Sequence, residues 1–261
     1  MTVHLSTQTK PDSPAATRAG ESLWQSALYL PFGVYSLCSF AILVPVALVA
    51  AVLLPQLAQR RGVARWVARS YMRLSLMRLH VTGLERLPVE RCVVVANHAS
   101  YLDGLVMTAA LPPRFSFVIK REMNSVPLAG TLLRRLGSEF VERVDRHKGA
   151  SDARRVLRSA SNGHSLVFFP EGTFRNEPGL MKFHAGAFVT AVRGQCAVVP
   201  VVIRGTRRSM PGSRLLPRPA RIEVELLDAI YAGAEDIGGA HDLRDRARAA
   251  IAARLNEPDD A

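Results

Sequence analysis

Between Ser22 and Gln59 the chain carries no charged residue, and Leu28–Leu54 within that stretch is almost wholly apolar. A helix needs about 20 such residues to cross a bilayer. The apolar core of a secretion signal is only about 7–15 residues long, and no convincing small-x-small cleavage site follows this run. A membrane-inserted segment is therefore the expectation, ahead of a signal peptide or a buried core helix. Pro31, Pro45 and Pro55 interrupt the run and Gly33 lies near its start, which leaves two geometries open. One is a single tilted span; the other is a pair of shorter helices, bent at Pro45, that dips into one leaflet.

The flanks divide the rest. Residues 1–21 are polar, with Pro, Ser and Thr throughout, and read as a disordered tail. Arg60, Arg61, Arg65 and Arg69 follow the apolar run, against only Lys10 and Arg18 before it. The positive-inside bias places the large C-terminal part on the cytoplasmic side. The expected organisation is a tail over 1–21, a membrane-inserted helix or helical hairpin over 22–62, and a domain over 63–261. Residues 63–79, VARWVARSYMRLSLMRL, predict an amphipathic helix with Arg65, Arg69 and Arg73 in one stripe. Such a stripe either lies on anionic headgroups or packs on the domain with solvated arginines.

From residue 80 short β-rich runs alternate with helical ones. Cys92–Ala96, Phe115–Ile119, Ser165–Phe169, Ala197–Ile203 and Ile222–Leu226 predict strands. Several are continuously apolar, as strands covered on both faces are. Helices are predicted over 103–111, 127–136, 149–162, 184–193 and 241–256. That alternation implies an α/β fold with a mostly parallel central sheet flanked by helices, preceded by the membrane-embedded helical segment.

Charge narrows the partners. With 34 Lys+Arg against 22 Asp+Glu the net charge is +12, a field that favours anionic lipid, phosphorylated substrates or nucleic acid. Nucleic acid is not expected: aromatics are 7% of the chain, and neither aromatic–basic interleaving nor a helix-turn-helix pattern occurs. Cys38, Cys92 and Cys196 form no C-x-x-C pair and all lie in apolar runs, so buried thiols are expected rather than a disulfide framework. The seven histidines show no H-x-x-x-H spacing, and no metal site is expected.

Two strand ends carry chemistry. In NHASYLDG, residues 97–104, the strand ends at Ala96 and Ser100 reads as a helix N-cap. Ser100-x-x-Asp103 is itself a capping-box pattern. On a continuous helix His98 and Asp103 would lie about 140° apart. With His98 in the turn and Asp103 in the first helical turn, the carboxylate reaches the imidazole and leaves its other nitrogen as a base. The second strand end is Phe169-Pro-Glu-Gly-Thr-Phe-Arg175. Its Glu171, Gly172, Thr173 and Arg175 suit a polyol and a phosphate, or form an ordinary Pro-Gly turn with surface charges.

Taken together these segments resemble the glycerolipid acyltransferase family, whose best-known members act on lysophosphatidate. Four ordered blocks carry the resemblance: Asn97-His98 through Asp103; Lys120-Arg-Glu-Met and Pro127 with Gly137-Ser-Glu-Phe140-Val-Glu-Arg143; Phe169-Pro-Glu-Gly-Thr with Gly186-Ala-Phe188; and Val199-Pro200-Val201. The resemblance implies His98 as general base oriented by Asp103. It also implies Asn97 as a substrate-binding residue and a site for the acceptor's phosphate built from Arg143, Glu171, Gly172, Thr173 and Arg175. The acyl donor would be acyl-CoA or acyl carrier protein, a substrate rather than a cofactor, and the acceptor a lysophospholipid in the membrane. One departure stands out: the family's E-G-T-R is interrupted here by Phe174. Lys182 and His184 are further candidates for a phosphate contact, or solvated surface charge. The competing readings are an acyltransferase for a lysolipid with another headgroup, transacylation between phospholipids, and a non-catalytic lipid-binding protein.

Overall fold

The computed structural model describes residues 23–142, 156–158, 164–214, 216–232, 239–255 and 257. The expected tail over 1–21, most of the helix expected over 149–162, and Arg143 lie outside the described residues.

Helix α1, Leu23–Leu53, is one continuous helix with Pro31 and Pro45 inside it, so of the two geometries left open the chain adopts the single helix. Its Tyr29–Leu53 portion, 25 residues of mean hydropathy 2.5, is long and apolar enough to cross a membrane. Only one stripe is covered: Ser36, Leu43, Ala47 and Ala51 are buried, whereas Leu30, Val34, Ile42, Val49 and Leu53 are exposed. Cys38 lies on the exposed side. The expectation of a buried thiol fails there because an apolar run on a one-sided helix is mostly surface.

The chain breaks at Pro55 and re-enters α2, Leu57–Leu74. The boundary expected between 62 and 63 falls inside this helix, and the helix expected over 63–79 stops earlier. Leu76 adopts φ 45°, the chain reverses, and Arg78–Thr82 forms strand β1. The arginines that suggested membrane polarity are engaged within the protein. Arg60 donates to Leu54 O, Arg61 to Leu136 O and Arg114 O, Arg65 to Ala110 O and Arg69 to Ala109 O. Apart from Arg114 O, which immediately precedes β3, these carbonyls lie at or just beyond a helix C-terminus, where the ladder leaves carbonyls unpaired and the dipole favours a cation. Of the two readings of the stripe, packing on the domain is the one seen for Arg65 and Arg69.

The remaining elements are β2 (Cys92–Ala96), α3 (Asp103–Ala110), β3 (Phe115–Lys120), α4 (Ala129–Arg135), β4 (Glu139–Val141), β5 (Ser165–Phe168), α5 (Gly186–Arg193), β6 (Ala197–Arg204), the short α6 (Thr206–Ser209), β7 (Arg221–Leu226) and α7 (Gly239–Leu255). They build a seven-stranded sheet in the order β1-β7-β6-β2-β5-β3-β4. Every pairing is parallel except β6 with β7. All five residues of β2 are buried, which is why its sequence is continuously apolar. Separate apolar clusters cover the two faces. Val94, Ala96, Met107, Val199 and Val201 pack with α2 and α3 residues on one side. Val93, Val95, Phe188, Val198 and Ile251 pack on the other. Burial pushes the Cys92 thiol up to about 11, which keeps it protonated and unreactive.

Candidate active site

Because β2 and β5 are parallel neighbours with Val95 opposite Phe168, both signal-bearing loops leave the sheet at the same edge. On the other flank of β2, Asn97 closes a two-bond clasp with the end of β6: its Nδ2 donates to Ile203 O at 2.9 Å and Ile203 N–H donates to its Oδ1 at 2.7 Å. Asn97 is 2% exposed. Both polar atoms of its amide are thus engaged as a brace between the two strands.

The next residues turn. Nδ1 of His98 lies 2.8 Å from Oδ2 of Asp103. The same oxygen accepts the backbone N–H groups of Ala99 at 2.6 Å and Ser100 at 2.8 Å. With two N–H groups already directed at it, Oδ2 is an acceptor, and the 2.8 Å contact is a hydrogen bond donated by Nδ1 of His98. The helix starts at Asp103 with Leu102 in the capping position and no side-chain cap, so Ser100 is not the N-cap expected of it. Its hydroxyl instead donates to Met210 O at 2.6 Å and accepts from Leu102 N–H. Asp103 is fully buried, and its Oδ1 has no hydrogen-bond partner among the described residues. That leaves its charge available to an imidazolium.

Glu171 is also a brace. It is 4% exposed; Oε1 accepts the N–H of His98 at 2.6 Å and Oε2 that of Met181 at 3.0 Å. It thus ties the β2 loop to the β5 loop and fixes the backbone on which the imidazole sits. Burial pushes its carboxyl up to about 6, against the opposing pull of those two N–H groups. Gly172 turns the chain with φ 78°, its N–H reaching Phe169 O at 3.0 Å.

Aromatic rings confine the His98 imidazole. Phe169 stacks on His98 with centroids 4.4 Å apart. Phe174 meets His98 edge-on at 4.7 Å and Tyr101 at 4.7 Å. Sequence reasoning treated Phe174 as an interruption and missed this ring cluster. The signal available to it was the placement of Phe169 and Phe174 on either side of the P-E-G-T turn. His98 opens on a cavity of about 960 Å³ lined by Thr173, Phe174 and Arg175 on one side and by Phe40 of α1, Tyr71 of α2 and Leu105 of α3 on another. That size suits an amphiphile, and α1 contributes to the site itself rather than only to an anchor. Arg207 holds the loop carrying Arg175 through Arg175 O, Glu177 O and the Glu257 carboxylate. Gly172 and His184 also border a second, smaller cavity of about 290 Å³, while Lys182 is exposed. Among the described residues no group of three or more His, Cys, Asp or Glu is placed to hold a metal ion.

Residues 78–204 match the family model described as Acyltransferase. The chain is similar to the chloroplastic 1-acyl-sn-glycerol-3-phosphate acyltransferase of Brassica napus, 30% identical over 203 residues, 76% of this chain and 57% of that protein. It is also similar to the 1-acyl-sn-glycerol-3-phosphate acyltransferase of Saccharomyces cerevisiae, 30% identical over 155 residues, 56% of this chain and 51% of that protein. Lysophosphatidylcholine acyltransferase 1 of Rattus norvegicus is 34% identical over 143 residues, 53% of this chain and 24% of that protein. The chain thus spans little more than half the length of the Brassica relative. Its fold is that of the crystal structure of PlsC, the 1-acyl-sn-glycerophosphate acyltransferase of Thermotoga maritima, with a TM-score of 0.72 at 20% identity over 89% of this chain and 99% of that one.

Proposed function

We propose, from the match of residues 78–204 to the Acyltransferase family model, that the chain is a member of that family and moves a fatty acyl group from acyl-CoA or acyl carrier protein to the free hydroxyl of lysophosphatidate, forming phosphatidate. The observation that carries the reading is the 2.8 Å contact of His98 Nδ1 with Asp103 Oδ2 at the wall of a cavity of about 960 Å³.

In the reaction, Nε2 of His98 takes the acceptor's hydroxyl proton as that oxygen attacks the thioester carbonyl carbon. The buried Asp103 carboxylate stabilises the imidazolium that forms. Collapse of the tetrahedral adduct breaks the carbon–sulfur bond, and the departing thiolate takes the proton back from Nε2. No acyl-enzyme arises and no cofactor is consumed. Phe169 and Phe174 exclude water from the imidazole, which favours transfer to lipid over hydrolysis. Thr173 and Arg175, at the cavity wall, receive the acceptor's phosphate; Arg143, which the family resemblance also assigns to that phosphate, lies outside the described residues. The α1 helix holds the protein in the membrane where its substrates reside, with the sheet on the cytoplasmic side.

A second reading differs in the acceptor alone. Phe174 stands between Thr173 and Arg175 and covers His98, so the headgroup pocket differs from one built on an uninterrupted E-G-T-R. A lysolipid with a larger headgroup is then the acceptor. Acyl transfer from labelled acyl-CoA by membranes carrying the protein tests both, with lysophosphatidate and other lysophospholipids compared and His98→Ala as control. His98-dependent preference for lysophosphatidate supports the first reading, and preference for another lysolipid supports the second. Transfer that survives His98→Ala overturns the mechanism.

A further inference from the structure

The segment after β3 projects a set of apolar side chains that no element among the described residues covers. Every residue from Glu122 to Leu128 is exposed, with Met123 at 38%, Val126 at 41% and Leu128 at 67%. This knob is held in one shape. Gly130 N–H donates to Val126 O at 2.8 Å, Ser125 Oγ to Glu122 O, and the Arg134 guanidinium to both Asn124 O and Oδ1. A Cβ on Gly130 would sit 2.2 Å from Asn124 O, so only glycine lets the backbone close so tightly. Leu128 adopts φ 62°, ψ −53°, a costly conformation for a branched side chain, and it holds that side chain in solvent. A rigid loop that spends strain to expose leucine, valine and methionine is built to bury them against something else.

Its position identifies the occupant. The knob follows the C-terminal end of β3, at the edge where β2 and β5 deliver His98 and Phe169. Met123 and the following helix α4 line the large cavity, and α4 packs against α1, whose Leu30, Ile42, Val49 and Leu53 are exposed. Lys120, Arg121, Arg134 and Arg135 flank the knob against one carboxylate, Glu122. Apolar side chains framed by basic ones, beside an apolar helix, match the boundary between acyl chains and anionic headgroups. We propose that the Glu122–Leu128 knob is a second membrane-contacting element, which seats Val126 and Leu128 in the headgroup–acyl boundary of an anionic bilayer and holds the cavity mouth against the lipid surface. The proposal rests on α1 being in the membrane.

The test uses the full chain in vesicles of mixed phosphatidylcholine and phosphatidylglycerol with brominated acyl chains. Trp24 and Trp66 are replaced by Phe, and one tryptophan is introduced as Val126→Trp, Leu128→Trp, Val46→Trp or Val89→Trp. Val46 reports α1. Val89, 89% exposed and just ahead of the N-terminal end of β2, reports the opposite edge of the sheet. Bromolipid quenching at 126 and 128 comparable to that at 46, with none at 89, is the expected result. Quenching at 46 alone, with 126 and 128 as open to aqueous iodide as 89, overturns the knob while leaving α1 in place. No quenching at 46 overturns both. Shielding at 126 only after an acidic acyl carrier protein is added also overturns it, in favour of a protein partner. None of these readouts needs turnover, so they stand apart from the proposed reaction.

Discussion

His98 and Asp103 are five residues apart, yet Nδ1 of the first lies 2.8 Å from Oδ2 of the second, because the chain between them turns instead of spiralling. The same oxygen binds the N–H groups of Ala99 and Ser100. It therefore ties down the turn at Ala99 and Ser100 and fixes the His98 ring at the same time. One carboxylate oxygen thus shapes the backbone and sets the geometry on which the proposed reaction depends.

Asp103→Asn retains the size of the side chain and loses the charge. An amide also permits the histidine tautomer with its proton on Nε2, which is useless as a base. We expect kcat to fall by about 10³–10⁴-fold with little change in KM. Single-turnover acyl transfer checks this, and a fall of less than tenfold would remove Asp103 from the mechanism.

Glu171 gives a pH signature. Its folded-state carboxyl titrates near 6, raised from 4.5 by burial. A raised carboxyl stabilises the fold most below its unfolded value, and that contribution is lost as pH rises through the folded one. From well below pH 4.5 to well above pH 6 the loss amounts to about 2 kcal/mol. Glu171→Gln should abolish this slope and lower stability throughout, since an amide accepts only one of the two N–H groups. Denaturant melts of both proteins across this pH range decide it; parallel pH profiles would refute the assignment.

Deleting Phe174 restores an uninterrupted E-G-T-R and removes the ring from His98 and Tyr101. The ratio of kcat/KM for lysophosphatidate over lysophosphatidylcholine should rise by about tenfold, a discrimination of about 1.4 kcal/mol. Phe174→Leu, which keeps the residue count, should leave the ratio near that of the parent. Equal shifts in both variants would show that the ring matters and the spacing does not.

Arg61 is 8% exposed and donates to Leu136 O, Arg114 O and Ser116 Oγ. Burial lowers its pKa, yet an arginine stays charged. Arg61→Met strands these acceptors at about 1–3 kcal/mol for each left without water. A loss of about 3 kcal/mol lowers Tm by roughly 6–12 °C in a chain of this size, measurable by thermal unfolding in detergent. An unchanged Tm would mean that water replaces the guanidinium.

The five predicted strands all form, each to within a residue at its ends, because continuous apolar runs such as Cys92–Ala96 can be buried in few other ways. Strands β1 and β4 escaped notice. The first, RLHVT, is half-exposed and is defined by its pairing with β7. The second is three residues long and exists through its register with β3. Asn97 and Glu171 fall in the expected loops and there bond to backbone groups of neighbouring segments, while Phe169, Phe174 and Tyr101 form the ring cluster around His98.

The division follows from the range of the forces involved. The sequence by itself determined what depends on local periodicity and on residue type at a strand end: the apolar helix α1, the alternating strands and helices, and the turn that joins His98 to Asp103. Tertiary structure alone decided which partner each polar group meets. The basic run Arg60, Arg61, Arg65 and Arg69 has the composition of a headgroup-binding stripe, and the fold sets it on the carbonyls of Leu54, Leu136, Ala110 and Ala109. A hydrogen bond between residues 75 positions apart is fixed by the packing of two helices, and that packing is a property of the whole core that no local stretch of sequence contains.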